Sequence, residues 1–263
     1  MRTEAARMRK KALLPALSAL WLAAGALMSL PALAQEGAAS WETWRAGTSV
    51  ADNTSLQHGA RNFVNFCLGC HSLQFQRWSR IATDLRIPPE VLQQSLLPPG
   101  AKPADYVMTA MPASDAETWF GKTPPDLSLM VRARGKDYVY RFLKTFYVDP
   151  SRPTGANNLQ LPGTAMPAVL SDLEGPKRPV FRNVTAAGGQ TEAVFDHFQQ
   201  LAPGRMTPAD YDIFVRDTVN FLDYVSEPAQ MQRRSVGIWV VLFLLAFTWI
   251  AWLLKKEYWK DVH

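Results

Sequence analysis

The sequence predicts a mainly helical domain followed by one membrane-spanning helix, on three observations. Apolar residues recur at helical spacing over 53–66, 137–147 and 207–225. Prolines crowd residues 72–126, so that stretch wraps in loops and short helices instead of long regular elements. Residues 236–254 form a run of 19 without a charge, enough at ~1.5 Å per residue to cross most of a hydrocarbon core of ~30 Å.

The elements follow in order. Arg2, Arg7, Arg9, Lys10 and Lys11 precede an apolar stretch, which ends at the small-x-small site Ala32-Leu33-Ala34. Residues 1–34 therefore read as a secretory signal peptide cut before Gln35. The formal net charge of +5 comes from the two ends: 1–34 contribute +4 and 226–263 contribute +2, leaving 35–225 at −1. Without a basic stripe on the folded domain, nucleic acid is excluded as a partner. Residues 35–52, with Trp41 and Trp44, suit an extended arm on the surface. The helix over 53–66 finds caps in Asn53 or Ser55.

Short helices are expected at 78–85, 89–96, 103–110 and 114–119. The helix over 137–147 carries Tyr138, Phe142 and Phe146 at spacing four. Residues 148–205 are expected to be mostly irregular, with 194–201 a strand or a short helix. Thr207-Pro208-Ala209-Asp210 is a helix start, with Thr as N-cap and Pro in the first turn. The uncharged run lies between Arg233 and Arg234 on one side and Lys255, Lys256 and Lys260 on the other, with Trp252, Tyr258 and Trp259 at the interface. The expected organisation is a signal peptide (1–34), a domain outside the membrane (35–228) and an anchor with a short cytoplasmic tail (229–263).

Cys67-Leu68-Gly69-Cys70-His71 carries the chemistry. Cys-x-x-Cys-His is the attachment signature of a c-type haem. On a helical turn, positions i, i+3 and i+4 share a face. Each cysteine can then form a thioether to a vinyl group, while the histidine offers a nitrogen to the iron. A local disulfide or a thiol redox pair are the rival readings. Both cysteines of the chain sit in this motif, and a thiol enzyme has no use for the adjoining histidine. A methionine opposite His71 would give an electron carrier of high potential. Met111 and Met166 are each followed by proline; Met166, far along the chain, is favoured. His197 is a weak alternative ligand, and His58 reads as a surface residue. Arg132 and Arg134 could reach the haem propionates, or simply form a basic helix face.

The pattern as a whole resembles the cytochrome c1 family, the haem subunits of the quinol–cytochrome c reductase (bc1) complex. The resemblance rests on several features that recur in order. They are Cys67–His71 with Ser72, the stretch Pro124-Pro125-Asp126-Leu127-Ser128, the segment 134–139, the Ala165-Met166-Pro167 turn, the helix 217–224 ending in Glu227-Pro228, and the single C-terminal span. It implies a class I cytochrome c-like haem domain with long Pro-rich loops. It implies one covalent haem c, with Cys67, Cys70, His71, Met166, Arg134, Tyr138 and Pro125 around it and His71 and Met166 on the iron. It further implies cytochrome b and a Rieske iron–sulfur protein as partners, and a soluble or membrane-bound cytochrome c as acceptor. The subunit would be an electron carrier, with the quinol chemistry on its partners. The secretory signal makes a bacterial member the natural reading, single-pass in the inner membrane with its haem domain in the periplasm. A carrier serving a different oxidase or a periplasmic dehydrogenase is the alternative.

Overall fold

The computed structural model describes residues 40–185 and 190–260; the expected signal peptide lies outside them. Helix α1 (Asn53–Phe66) and helix α8 (Pro208–Ser226) form the centre of the core. α1 buries Leu56, Ala60 and Phe63, while α8 buries Phe214, Val215, Phe221 and Leu222. The rings of Phe63 and Phe221 lie 5.8 Å apart, and those of Phe66 and Phe214 meet edge to face at 5.3 Å. Close approach depends on Gly59, where a Cβ would overlap the Asp217 carbonyl and the Phe221 Cβ. Buried Asn62 crosses the interface, donating to the Phe214 carbonyl at 3.2 Å. α8 begins as expected, with Thr207 accepting from the Asp210 amide. α1 is instead capped by Asp52, which accepts from the Ser55 amide at 3.1 Å. The two expected caps are engaged elsewhere: Asn53 donates to the Leu85 carbonyl and Ser55 to Asp217.

The proline-rich wrap contains strand β1 (Leu73–Arg77), helix α2 (Trp78–Asp84), a short helix α3 (Pro89–Val91) running into a π turn at Leu92–Leu96, strand β2 (Tyr106–Val107) and helix α4 (Ala113–Phe120). The helix expected at 103–110 does not form. There the Pro103 and Asp105 carbonyls accept from Ser79 and Trp78, the first amides of α2, and Tyr106–Val107 pairs antiparallel with β1. Those backbone groups are thus used between segments and not within a helix.

Next come α5 (Met130–Arg134) and α6 (Lys136–Lys144). α6 stops three residues short of the expected end, because Phe146-Tyr147-Val148, all good strand formers, begin strand β3 (Phe146–Val148) and pair with β4 (Ala156–Asn158). After α7 (Ser171–Glu174), strands β5 (Lys177–Thr185) and β6 (Thr191–Gln200) form a long antiparallel hairpin with a bulge at Val180/Phe181. This corrects the irregular stretch expected over 148–205 and places 194–200 of the undecided segment 194–201 in a strand, with Leu201 beyond its end. The arm expected to be extended on the surface contains a 3-10 turn at Trp41–Thr43 in its described part and is tied into the core beside α6: Ala46 is fully buried, its amide donating to Asp137, and Arg141 donates to the Glu42 carbonyl.

Helix α9 (Gln230–Tyr258) contains the apolar run, with a span of 23 residues from Val236 to Tyr258 at mean hydropathy 2.3, none of it buried. Glu227, between α8 and α9, pairs with Arg132 of α5 at 3.6 Å and with Arg233 of α9.

Candidate haem site

α1 runs directly into the Cys-x-x-Cys-His segment. The Cys67 amide still donates to the Phe63 carbonyl, and the Cys67 carbonyl accepts from both Cys70 (3.0 Å) and His71 (2.8 Å). This single helical turn sets the two thiols and the imidazole on one face. The thiols are not joined to each other. Burial pushes the Cys67 thiol up to about 12, with Cys70 adding to the effect. A thiol redox enzyme needs a stabilised thiolate, so the surroundings of Cys67 argue against that rival.

His71 is buried, and its Nδ1–H donates to the Pro125 carbonyl at 2.8 Å. The bond fixes the tautomer and leaves the Nε2 lone pair free for a metal. Desolvation lowers the imidazole pKa, against smaller opposing effects of the Pro125 carbonyl and Asp126. The neutral, ligating form is therefore favoured.

A stitched seam holds Pro125 in place. The Ser72 carbonyl accepts from the Leu127 amide at 2.9 Å. Asp126 accepts from Gln74 at 2.8 Å and, closing a local turn, from Ser128 at 2.9 Å. The Ser128 hydroxyl in turn accepts from Phe75 at 3.2 Å. Asp126 and Ser128 have no assigned role in the sequence reading. The signal for them was present, since Asp with an amide two residues on is a turn signature. Replacing Asp126 with alanine is expected to cost about 0.5–1.5 kcal/mol, the net worth of a hydrogen bond, since its bond to Gln74 is exposed and the one to Ser128 only partly buried. It should also loosen Pro125, so that the His71 Nδ1 proton exchanges faster with solvent by NMR. An unchanged exchange rate would show that Asp126 does not seat the carbonyl.

Cys67, Leu127, Met130, Tyr138, Phe142 and Met166 are half-buried and pack against one apolar core. Met166 also borders a cavity of about 230 Å³ with Leu143, Phe146, Pro167 and Tyr211. It is thus not sealed into the core as a gap-filling methionine would be. Met111 is not among the residues packed on that core; its amide donates to Thr109, whose hydroxyl donates to the Gly69 carbonyl of the motif turn. His197 is on exposed β6 beside Asp196, and His58 is half-exposed beside Asp217. Of the two arginines on α5, Arg132 pairs with Glu227. Arg134 has no carboxylate partner among the described residues; it is exposed, with its guanidinium 5.6 Å from the centre of the Tyr138 ring.

The donor set and its apolar rim fit a haem. They comprise an imidazole with one nitrogen pinned, two unbridged thiols on the same turn, an arginine without a carboxylate partner among the described residues, and a thioether on the shared core. The class these features define is the cytochromes, haem proteins of electron transfer. Residues 98–262 match the Cytochrome C1 family, a range that holds Pro125, Arg134, Tyr138 and Met166. Cytochrome c1 of Allochromatium vinosum is 46% identical over 218 residues, covering 83% of this chain and 88% of that protein. The ammonia monooxygenase gamma subunit of Nitrosomonas europaea is 39% identical over 238 residues, covering 90% and 96%. Cytochrome c1 of Rhodospirillum rubrum is 26% identical over 271 residues, covering 92% and 96%. The chain belongs to the cytochrome c1 family.

Proposed function

We propose that this chain is the haem c subunit of a quinol–cytochrome c reductase, accepting one electron from a Rieske iron–sulfur protein and passing it to a soluble cytochrome c. The observation that carries the reading is the His71 Nδ1–Pro125 hydrogen bond on the same turn as Cys67 and Cys70. A relative from Candida albicans is a cytochrome b-c1 complex catalytic subunit, which supports the assembly with cytochrome b.

Bound haem supplies reversible one-electron chemistry at its iron. Cys67 and Cys70 would hold it covalently, and His71 and Met166 would ligate its iron. Pro125 keeps His71 in the ligating tautomer and orientation. Met166, as a second protein ligand beside His71, would keep oxygen from binding and limit rearrangement on electron transfer. Arg134 would pair with a propionate, and Tyr138 and Phe142 would exclude water from the ring, which raises the potential. Residues 1–34 would be removed as a secretory signal, 35–228 would face the periplasm and α9 would cross the inner membrane.

The test is a reduced-minus-oxidised visible spectrum of the tagged protein purified in mild detergent. A c-type band accompanied by b-type bands is expected. A c-type band alone from gently treated membranes would overturn the assignment to this complex. The likeness to an ammonia monooxygenase gamma subunit favours a second reading, a membrane-anchored carrier for a different enzyme. That reading predicts co-purification of the other enzyme's subunits in place of cytochrome b.

A further inference from the structure

We propose that Asn157 and Asn158, at the end of β4, are positioning residues that hold the loop carrying Met166 in its iron-binding geometry; the inference rests on the reading of Met166 as axial ligand. The loop from Leu161 to Met166 belongs to no helix or strand, yet its backbone groups are gripped one after another. Asn158 is fully buried, and its Oδ1 accepts from the Leu161 amide at 3.0 Å. Its Nδ2 donates to the Phe142 carbonyl at 2.7 Å. One side chain thus ties the loop to α6, the helix that bears Tyr138 and Phe142.

Asn157 takes the next grip. Its Oδ1 accepts from the Gly163 amide at 2.8 Å, and its Nδ2 donates to Asp149 at 3.0 Å. Arg152 donates to the Gly163 carbonyl at 3.0 Å, so both polar groups of Gly163 are held by side chains from outside the loop. Gly163 has φ +76°, a left-handed turn that a side chain would strain. The Thr164 amide closes this turn on the Leu161 carbonyl at 3.2 Å.

The physical reason for such a grip is the ligand. A neutral thioether binds iron weakly, and a loop free to move would let an outside ligand replace it. Fixing the loop in advance removes the ordering cost of the bond. A loop with only a structural role needs its ends held; here the grips converge on the residues immediately before the methionine.

The test uses the full-length haem-loaded protein in detergent, with imidazole as competing ligand. Asn157→Ala, at a half-buried position, is the primary variant and Asn158→Ala the second, buried one. The expected result is imidazole binding to the oxidised form roughly fivefold to tenfold tighter than in the parent, the size of one lost hydrogen bond, together with a lower midpoint potential. Asp52→Ala, which removes only the cap of α1, serves as a control for general destabilisation; it should lower the melting temperature and leave imidazole affinity where it was. If Met166→Leu loses the iron–thioether absorption but Asn157→Ala binds imidazole as the parent does, the positioning role is overturned while the ligand assignment stands. If Met166→Leu keeps that absorption, the ligand assignment falls and this inference with it.

Discussion

Met166→Leu is expected to abolish the iron–thioether charge-transfer absorption and to lower the midpoint potential by a large part of the roughly 0.8 V range that axial ligands command. The reasoning starts from sulfur chemistry. A thioether stabilises the reduced iron relative to a nitrogen donor or water, so its removal makes reduction harder. Leucine has nearly the volume of methionine and should pack in its place on the core that Met166 shares with Cys67 and Tyr138. Folding should therefore survive, and the loss is specific to the bond. Potentiometric titration followed by visible spectroscopy makes the measurement. A potential within a few tens of millivolts of the parent would show that another group holds the sixth position; Met111, next to the motif turn through Thr109, would then be the residue to replace.

The second large effect concerns the core. Gly59→Leu should prevent α1 from meeting α8, because even the first carbon of a side chain would overlap the Asp217 carbonyl and the Phe221 Cβ. Backbone cannot step aside as a flexible side chain can, so the helices must separate and give up the ring contacts of Phe63 and Phe66. Overpacking of this kind costs about 3 kcal/mol or more. For a chain of this size that is a fall of about 10 °C in melting temperature, and loss of the haem-loaded protein in cells is the expected extreme. Gly69→Ala is the contrast. It stands inside the Cys-x-x-Cys-His turn, yet a Cβ there meets no protein atom within 4 Å, and the melting temperature of the haem-free protein should match the parent's. Equal melting temperatures for Gly59→Leu and the parent would refute the close approach.

These cases show what could be read from the sequence. The Cys-x-x-Cys-His turn was legible because its chemistry is local, with all three groups contributed within five residues. The Pro125 carbonyl was not legible as a bonding group. It is a backbone atom brought to His71 from 54 residues along the chain, and no residue type announces it. Helix α1 was legible to its ends because its apolar spacing is continuous, but its cap was not: Asp52, Asn53 and Ser55 can all cap, and contacts with Leu85 and Asp217 decided among them. The β5–β6 hairpin was missed because its alternation is broken by a bulge and both strands are largely exposed, leaving little buried-face pattern to detect. The asparagines of β4 read as loop residues, and only the fold shows their amides turned onto the methionine segment.

The junction of α8 and α9 has a consequence for encounter. Only Glu227, Pro228 and Ala229 separate the two helices, and even these are bound. The Gln230 amide donates to the Glu227 carbonyl, the Gln230 side chain to the Asp223 carbonyl, and the Glu227 carboxylate spans Arg132 and Arg233. A tether this short and this well fixed has almost no slack, so the domain it holds explores a small search volume. The effective concentration of one redox group near another is set by the reach of whichever tether is flexible. In the proposed electron transfer, a domain held this still would leave the travelling to its donor and its acceptor.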